Sequence, residues 1–127
     1  MEVIMLVKYK SSYEKIAMGL LSFIPDLKDL NTLTNEIALY QDDNNHELYL
    51  WKNNSDDFSG VVGIEVADKY IVVRWISLMP SDRGEGNSFL ILDQLRKLYP
   101  QQKMMGSLDT TKLVAKWIEH NRHQTGV

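Results

Sequence analysis

Apolar residues recur along this chain with two different periods, and the switches between them divide it into elements. Residues 3–9 (VIMLVKY) form a short apolar run that predicts a first strand. Ser11-Ser12-Tyr13-Glu14 then has the form of a capping box, with Ser11 as N-cap and Glu14 reaching back. Behind it Ile16, Ala17, Leu20, Leu21 and Ile24 fall on one helix face. Pro25 closes that helix, because proline disfavours helical geometry in the residue before it. Asp26 is expected to cap a second helix whose apolar stripe is Leu27, Leu30, Leu33, Ile37 and Tyr40.

Residues 41–46 (QDDNNH) make a polar turn, and three strand-like segments follow: 47–52 (ELYLWK), Gly60–Val66 and Tyr70–Leu78. Short polar loops at 53–59 and 67–69 separate them, which predicts an antiparallel meander. The third segment is the longest and richest in β-branched and aromatic residues, so a well-buried strand is expected there. Residues 80–88 (PSDRGEGNS) form a turn-rich loop that opens into a third helix carrying Phe89, Ile91, Leu92, Leu95 and Leu98. Pro100-Gln101-Gln102 breaks the pattern. Residues 103–107 (KMMGS) read as a weak strand, and Asp109 or Thr110 caps a last helix with Leu113, Val114, Trp117 and Ile118. The tail, 121–127, is polar and expected to fray. The order is β-α-α-β-β-β-α-β-α. An α/β domain spanning 1–127, with helices on both faces of a mixed sheet, buries so many one-sided elements.

Composition narrows the function classes. With 127 residues the chain is long enough to bury a core without staples. It has no cysteine, which removes disulfides, thiolate nucleophiles and cysteine metal sites and suits a reducing cytoplasm. No apolar run approaches a membrane span, and Lys8, Lys10 and Glu14 interrupt any signal-peptide pattern. A net charge of −3 without a long basic block argues against nucleic acid as the partner.

The chemistry concentrates where the Tyr70–Leu78 strand runs through the glycine loop into a helix. The first turn of a helix leaves backbone N–H groups without partners, and the helix dipole adds positive charge there. Glycine lets the backbone approach a ligand with no Cβ in the way. Gly84, Glu85, Gly86, Asn87 and Ser88 can therefore present amides to a phosphate or pyrophosphate, and Arg83 can add a charge-assisted hydrogen bond.

This arrangement, with Arg83-x-x-Gly86-x-Ser88 between the fourth strand and the third helix, resembles the GCN5-related N-acetyltransferase family. The resemblance implies that the loop amides hold the pyrophosphate of acetyl-coenzyme A, with no metal. It also implies that backbone groups at Ser77 and Leu78 orient the thioester, which passes directly to an amine on a small metabolite or a protein lysine. The string VKYKSSYEKIAMGLLSF, residues 7–23, is similar to the start of the RibT proteins of riboflavin operons, as are ELYLWK and VVGIE, which implies a link to flavin metabolism.

Against the family's pattern three departures stand out. Glu85 places a carboxylate in the anion loop, and Ser88 replaces its last small residue. Ile118, or Trp117, occupies the position where many members carry a tyrosine that protonates the leaving thiolate; neither does so effectively. The two further strands usual in the family are missing, which would leave the 103–107 strand as an open edge and suggests a homodimer or a partner that covers this edge. A catalytically degenerate module, binding coenzyme A or another protein, is the rival to the enzyme.

Glu65, near the end of a central strand, is the candidate general base, against a plain solvent-facing role. Arg74 and Tyr49 are candidates for the acceptor pocket, against amphipathic surface. His120 and His123 with Glu119 loosely match metal spacing, but charge at a helix C-terminus accounts for them better, as it does for Arg96 and Lys97. Trp51, Trp75 and Trp117 read as core or pocket wall.

Overall fold

The computed structural model describes residues 4–53 and 57–124. Strands β1 (Ile4–Lys8), β2 (His46–Asn53), β3 (Gly60–Val66), β4 (Tyr70–Leu78) and β5 (Lys103–Gly106) form one sheet in the order β1-β2-β3-β4-β5. The first four are antiparallel, as the short polar connections predict, and β5 joins β4 in parallel. The parallel step requires a crossover, which helix α3 (Glu85–Leu98) supplies.

Side-chain alternation along the strands gives the sheet two apolar faces. On one, Leu48, Leu50 and Val61 pack under helices α1 (Glu14–Leu21) and α2 (Leu30–Asp42), through Ala17, Leu20, Leu21, Leu33 and Ile37. On the other, Trp51, Val62, Ile64, Ile71 and Val73 pack under α3 and α4 (Thr111–Gln124), through Ile91, Leu92, Leu95, Val114 and Trp117. Helices on both faces and a mostly antiparallel sheet match the expected class.

Several boundaries move, each for a local reason. Ser11 does not cap a helix: Ser11–Tyr13 is a 3-10 turn without a side-chain cap, and α1 starts only at Glu14. Asp26 does not cap α2 either. Pro25–Leu27 winds into a separate 3-10 turn that buries Leu27, and Asp29 caps α2 instead, accepting from the Thr32 amide at 3.1 Å. Ile16, Leu30, Leu98 and Ile118, at the margins of their stripes, are exposed. β4 is less uniformly buried than its composition suggests, with Tyr70 exposed at its start. Its alternation is offset midway, where the β3–β4 register passes from Gly63↔Trp75 to Ile64↔Val73. Arg74 is thus an extra residue, a bulge that turns Arg74 and Trp75 toward the same face.

The largest change concerns α3. It begins at Glu85, so the last four residues of the expected loop are its first turn. Gly84, at φ +146° and ψ 155°, makes the entry in a region open essentially to glycine alone. At the other end of the chain, α4 continues through Gln124 rather than fraying from Asn121.

Candidate functional site

β5 covers only the first half of β4. Its pairing runs from Tyr70↔Lys103 to Val73↔Gly106, and the chain then leaves the sheet. The departing turn is pinned to the bulge: the Ser107 amide donates to the Val73 carbonyl at 3.1 Å. The Thr110 hydroxyl donates to the same carbonyl at 2.6 Å, and the Ser107 hydroxyl to the Arg74 carbonyl at 2.9 Å. Past that point the sheet forks, and the second half of β4 has no strand beside it on this edge among the described residues.

The backbone of that half-strand is oriented by its other neighbour. The Met79 amide donates to the Ser59 carbonyl, which turns alternate residues, Ser77 included, toward β3. The amide and carbonyl of Ile76 and Leu78 consequently face the fork. The Leu78 carbonyl accepts from Arg83 Nε at 3.2 Å, in keeping with that direction. The fork opens into a cleft of about 440 Å³. Its walls are Phe23, Ile24 and Pro25 after α1, the 76–78 backbone, Gly84 and Ser88 at the head of α3, and Asp109 and Leu113 at the head of α4.

At one end of this cleft stands the N-terminus of α3, which no side chain caps. An ideal Cβ built on Gly84 or Gly86 meets nothing within 4 Å, so open space lies against both. The Arg83 guanidinium lies 5.1 Å from the centre of the Phe23 ring, beside this terminus. Asn87 ties the loop down by donating to the Asp82 carbonyl at 2.8 Å, and the Ser88 amide closes the first helical bond to Gly84. Unpartnered amides, a nearby cation and bare glycine backbone meet at one point. Such an arrangement can receive an anionic group, and the open edge of β4 can hydrogen-bond an extended polar chain beside it.

The chain is 37% identical over 113 residues to "Uncharacterized N-acetyltransferase in lysA 3'region" of Bacillus methanolicus, an alignment covering 88% of this chain and 93% of that one. The chain belongs to the GCN5-related N-acetyltransferase family. No protein-family model matches it. Among solved structures it superposes on aminoglycoside N-acetyltransferase AAC(6')-Iy in complex with CoA, with a TM-score of 0.66 at 13% identity, over 98% of this chain and 87% of the other. It also superposes on a possible acetyltransferase from Clostridium difficile 630, with a TM-score of 0.67 at 12% identity, over 94% and 90%. At such identities these likenesses establish the fold.

Within this acetyltransferase the sequence-derived residues are distributed unevenly. Leu78, Arg83, Gly84 and Ser88 line the cleft, and Glu85, Gly86 and Asn87 lie in the adjoining first turn of α3. Ser77 lines the cleft too, but its hydroxyl is buried against α1, donating to the Leu20 carbonyl at 2.6 Å. Glu65 is not brought to the loop. It pairs with Val72, whereas Leu78 pairs with Gly60, so about 20 Å of strand separates it from the α3 end. Its exposed carboxylate lies 4.0 Å from His46 Nε2.

Arg74 and Tyr49 do not share a pocket. The Tyr49 hydroxyl sits 2.8 Å from that of Tyr99, on the α3–α4 side. Burial first, and then the bond to Tyr49, pushes the Tyr99 hydroxyl above the ordinary tyrosine range. Arg74 points toward α2, where it donates to both oxygens of buried Glu36 at 2.9 and 3.0 Å. Trp75, brought alongside by the bulge, donates its indole N–H to the same carboxylate at 2.9 Å. Tyr40 completes the group, its hydroxyl raised far above its usual range by burial and then by the Glu36 charge. Burial alone would lower the Arg74 value, but the bonds and charges of Tyr40 and Glu36 raise it, so the guanidinium stays charged.

Neither residue at the family's tyrosine position faces the cleft as an acid. Trp117 is buried and donates to Asp93 at 2.8 Å, while Ile118 is exposed. His120 stacks on Phe89 at 5.0 Å, and the His123 side chain lies outside the described residues. Among the described residues no group of three or more His, Asp or Glu side chains can hold a metal. Nor is any described helix long and apolar enough to cross a membrane.

Sequence reasoning missed Ile76, Phe23 and Asp109. The backbone alternation that singles out Ile76 follows once the β3 register is known. The other two reach the cleft only through tertiary packing and leave no local signal.

Proposed function

We propose that this protein is an acetyl-coenzyme A-dependent N-acetyltransferase that holds its cosubstrate along the 83–88 loop and the open edge of β4. The observation that carries this reading is the uncapped start of α3, with open space over Gly84 and Gly86 at the end of a forked strand. The amides of the first turn would receive the pyrophosphate, and Arg83 can leave its stack on Phe23 to add charge. The Ile76 and Leu78 backbone would hold the pantetheine amides and so aim the thioester at the fork. When bound, acetyl-coenzyme A would supply the activated acetyl group as its thioester. The chain supplies position, exclusion of water by Phe23, Ile24 and Leu113, and a place for the amine.

Direct transfer to an amine, on a small metabolite or a protein lysine, accords with a chain that has no cysteine to carry an acetyl group. The likeness of residues 7–23 to the RibT proteins supports a connection to flavin metabolism. The rival, a coenzyme A-binding or protein-interaction module without turnover, draws on the lack of a proton donor at Trp117 and Ile118. A homodimer paired through β5, the four-residue edge strand, is part of the proposal; a single monomeric species in sedimentation at high micromolar concentration would remove it.

Calorimetric titration with acetyl-coenzyme A and coenzyme A tests the site. Wild type should bind with micromolar affinity, and Gly86→Trp, whose Cβ enters open space, should abolish binding while leaving the melting curve intact. Undiminished binding by Gly86→Trp, or no binding to folded wild type at millimolar ligand, would refute the site. Amine-dependent thiol release by wild type then separates enzyme from module.

A further inference from the structure

Helix α2 carries two polar side chains one turn apart, Glu36 and Tyr40, and both are buried. They meet the sheet where β3 and β4 fall out of step. Glu36 accepts from Arg74 Nη2 and from Trp75 Nε1, at 2.9 Å each. The Tyr40 hydroxyl accepts from Arg74 Nε at 3.4 Å and rests on Gly63, where any Cβ would run into it. Gly63 is the β3 residue at the register offset. Resting on the cosubstrate site above, we propose that Glu36 and Tyr40 are positioning residues. By holding the bulge, they decide which backbone groups of β4 face the coenzyme A cleft.

The backbone alternation shows what the bulge changes. In the first half of β4 the Lys69 and Val73 carbonyls face β5, accepting from the Lys103 and Ser107 amides at 2.9 and 3.1 Å. Continued without interruption, that alternation would turn the backbone of Trp75 and Ser77 to the fork. The extra residue at Arg74 reverses it. Ile76 and Leu78 face the fork instead, and the Leu78 carbonyl receives Arg83 Nε there. The Ser77 hydroxyl is turned onto the Leu20 carbonyl under α1.

The α2 contacts are specific to this bulged form. A regular strand sends successive side chains to opposite faces, so one carboxylate can bind Arg74 and Trp75 together only while the bulge is present. If the strand straightens, one of the two bonds to Glu36 is lost. A buried ion pair stabilises little beyond what apolar packing would give, and its distinctive product is register. The other side of the bulge is fixed separately, by Ser107 and Thr110 on the Val73 and Arg74 carbonyls. Removing the α2 contacts therefore frees residues 74–78 and leaves β5 seated.

The double variant Glu36→Met with Arg74→Met separates this role from stability, because it leaves no stranded charge. Amide hydrogen exchange of residues 75–78, followed by NMR, reads the alternation directly. In wild type the Trp75 and Ser77 amides, turned to β3, should exchange slowly. Those of Ile76 and Leu78 should exchange rapidly until coenzyme A is added. In the double variant that contrast should shrink at least about tenfold, with the urea midpoint near wild type. Coenzyme A should then bind at least about tenfold more weakly in calorimetry, the worth of about two backbone hydrogen bonds. Glu36→Gln, which keeps one acceptor oxygen, should fall between the two and carries the test if the double variant does not fold. An unchanged affinity or an unchanged contrast in the folded variants overturns this proposal alone. No coenzyme A binding to wild type overturns the cosubstrate site and this proposal with it.

Discussion

Removing Glu36 should be among the most costly single substitutions in this protein. Its carboxylate accepts from Arg74 at 2.9, 3.0 and 3.2 Å and from Trp75 at 2.9 Å. Stranding one partner of a buried ion pair costs about 3–5 kcal/mol. The Glu36 side chain is 9% exposed but that of Arg74 is 26% exposed, so water recovers part of the loss for the guanidinium. That discount gives about 2–3 kcal/mol, and the unsatisfied Trp75 N–H adds about 1 kcal/mol. Glu36→Ala should therefore lose about 3 kcal/mol in urea unfolding followed by tryptophan fluorescence, roughly a 10 °C fall in Tm for a domain of this size. Replacing both partners, Glu36→Met with Arg74→Met, leaves no stranded charge and should come back to within about 1 kcal/mol of wild type. The single variants Glu36→Met and Arg74→Met close a cycle with that double. A Glu36→Ala loss below about 1 kcal/mol, or a double variant equal to the sum of the singles, would refute this reading.

Three further outcomes follow from the geometry. Gly84→Ala meets no atom within 4 Å, yet φ +146° is strained for alanine, so it should destabilise by about 1–2 kcal/mol and weaken coenzyme A binding by displacing the first α3 amides. A thermal melt equal to wild type would show that the loop has another conformation available. Gly63→Ala would drive a Cβ into the Tyr40 hydroxyl, in the middle of the Glu36 group; a loss of at least about 2 kcal/mol is expected in urea unfolding. Because folding raises the Tyr40 value, the unfolded chain gives up this proton first as pH rises past about 10. Stability from Tyr40 is thus intact below pH 10 and falls above it, by up to about 1.4 kcal/mol per pH unit. Tyr40→Phe should show a shallower alkaline decline than wild type, measured as urea midpoints from pH 9 to 12.

Much of this molecule was legible in the chain. Apolar and β-branched runs locate the strands, which the sheet buries on both faces, and a period of about 3.6 locates the α-helices, each apolar on the side it buries. The strand, glycine loop and helix of the proposed anion site are contiguous, so their chemistry could be read from neighbouring residues. What the chain could not show depends on contacts between distant segments. The capping box at Ser11 and the cap at Asp26 are valid local patterns that lose to core packing: Leu27 is drawn inward, and the cap passes to Asp29. The bulge at Arg74 exists because β3 and β4 pair out of step, and only that offset lets Arg74 and Trp75 share Glu36, 38 and 39 residues away. Likewise Asp109 reaches the cleft because β5 stops at Gly106 and its turn is held by β4 carbonyls. Local periodicity reports which face each element buries. Which residues meet across the fork is set by register and by where β5 ends, and those are properties of the assembled sheet.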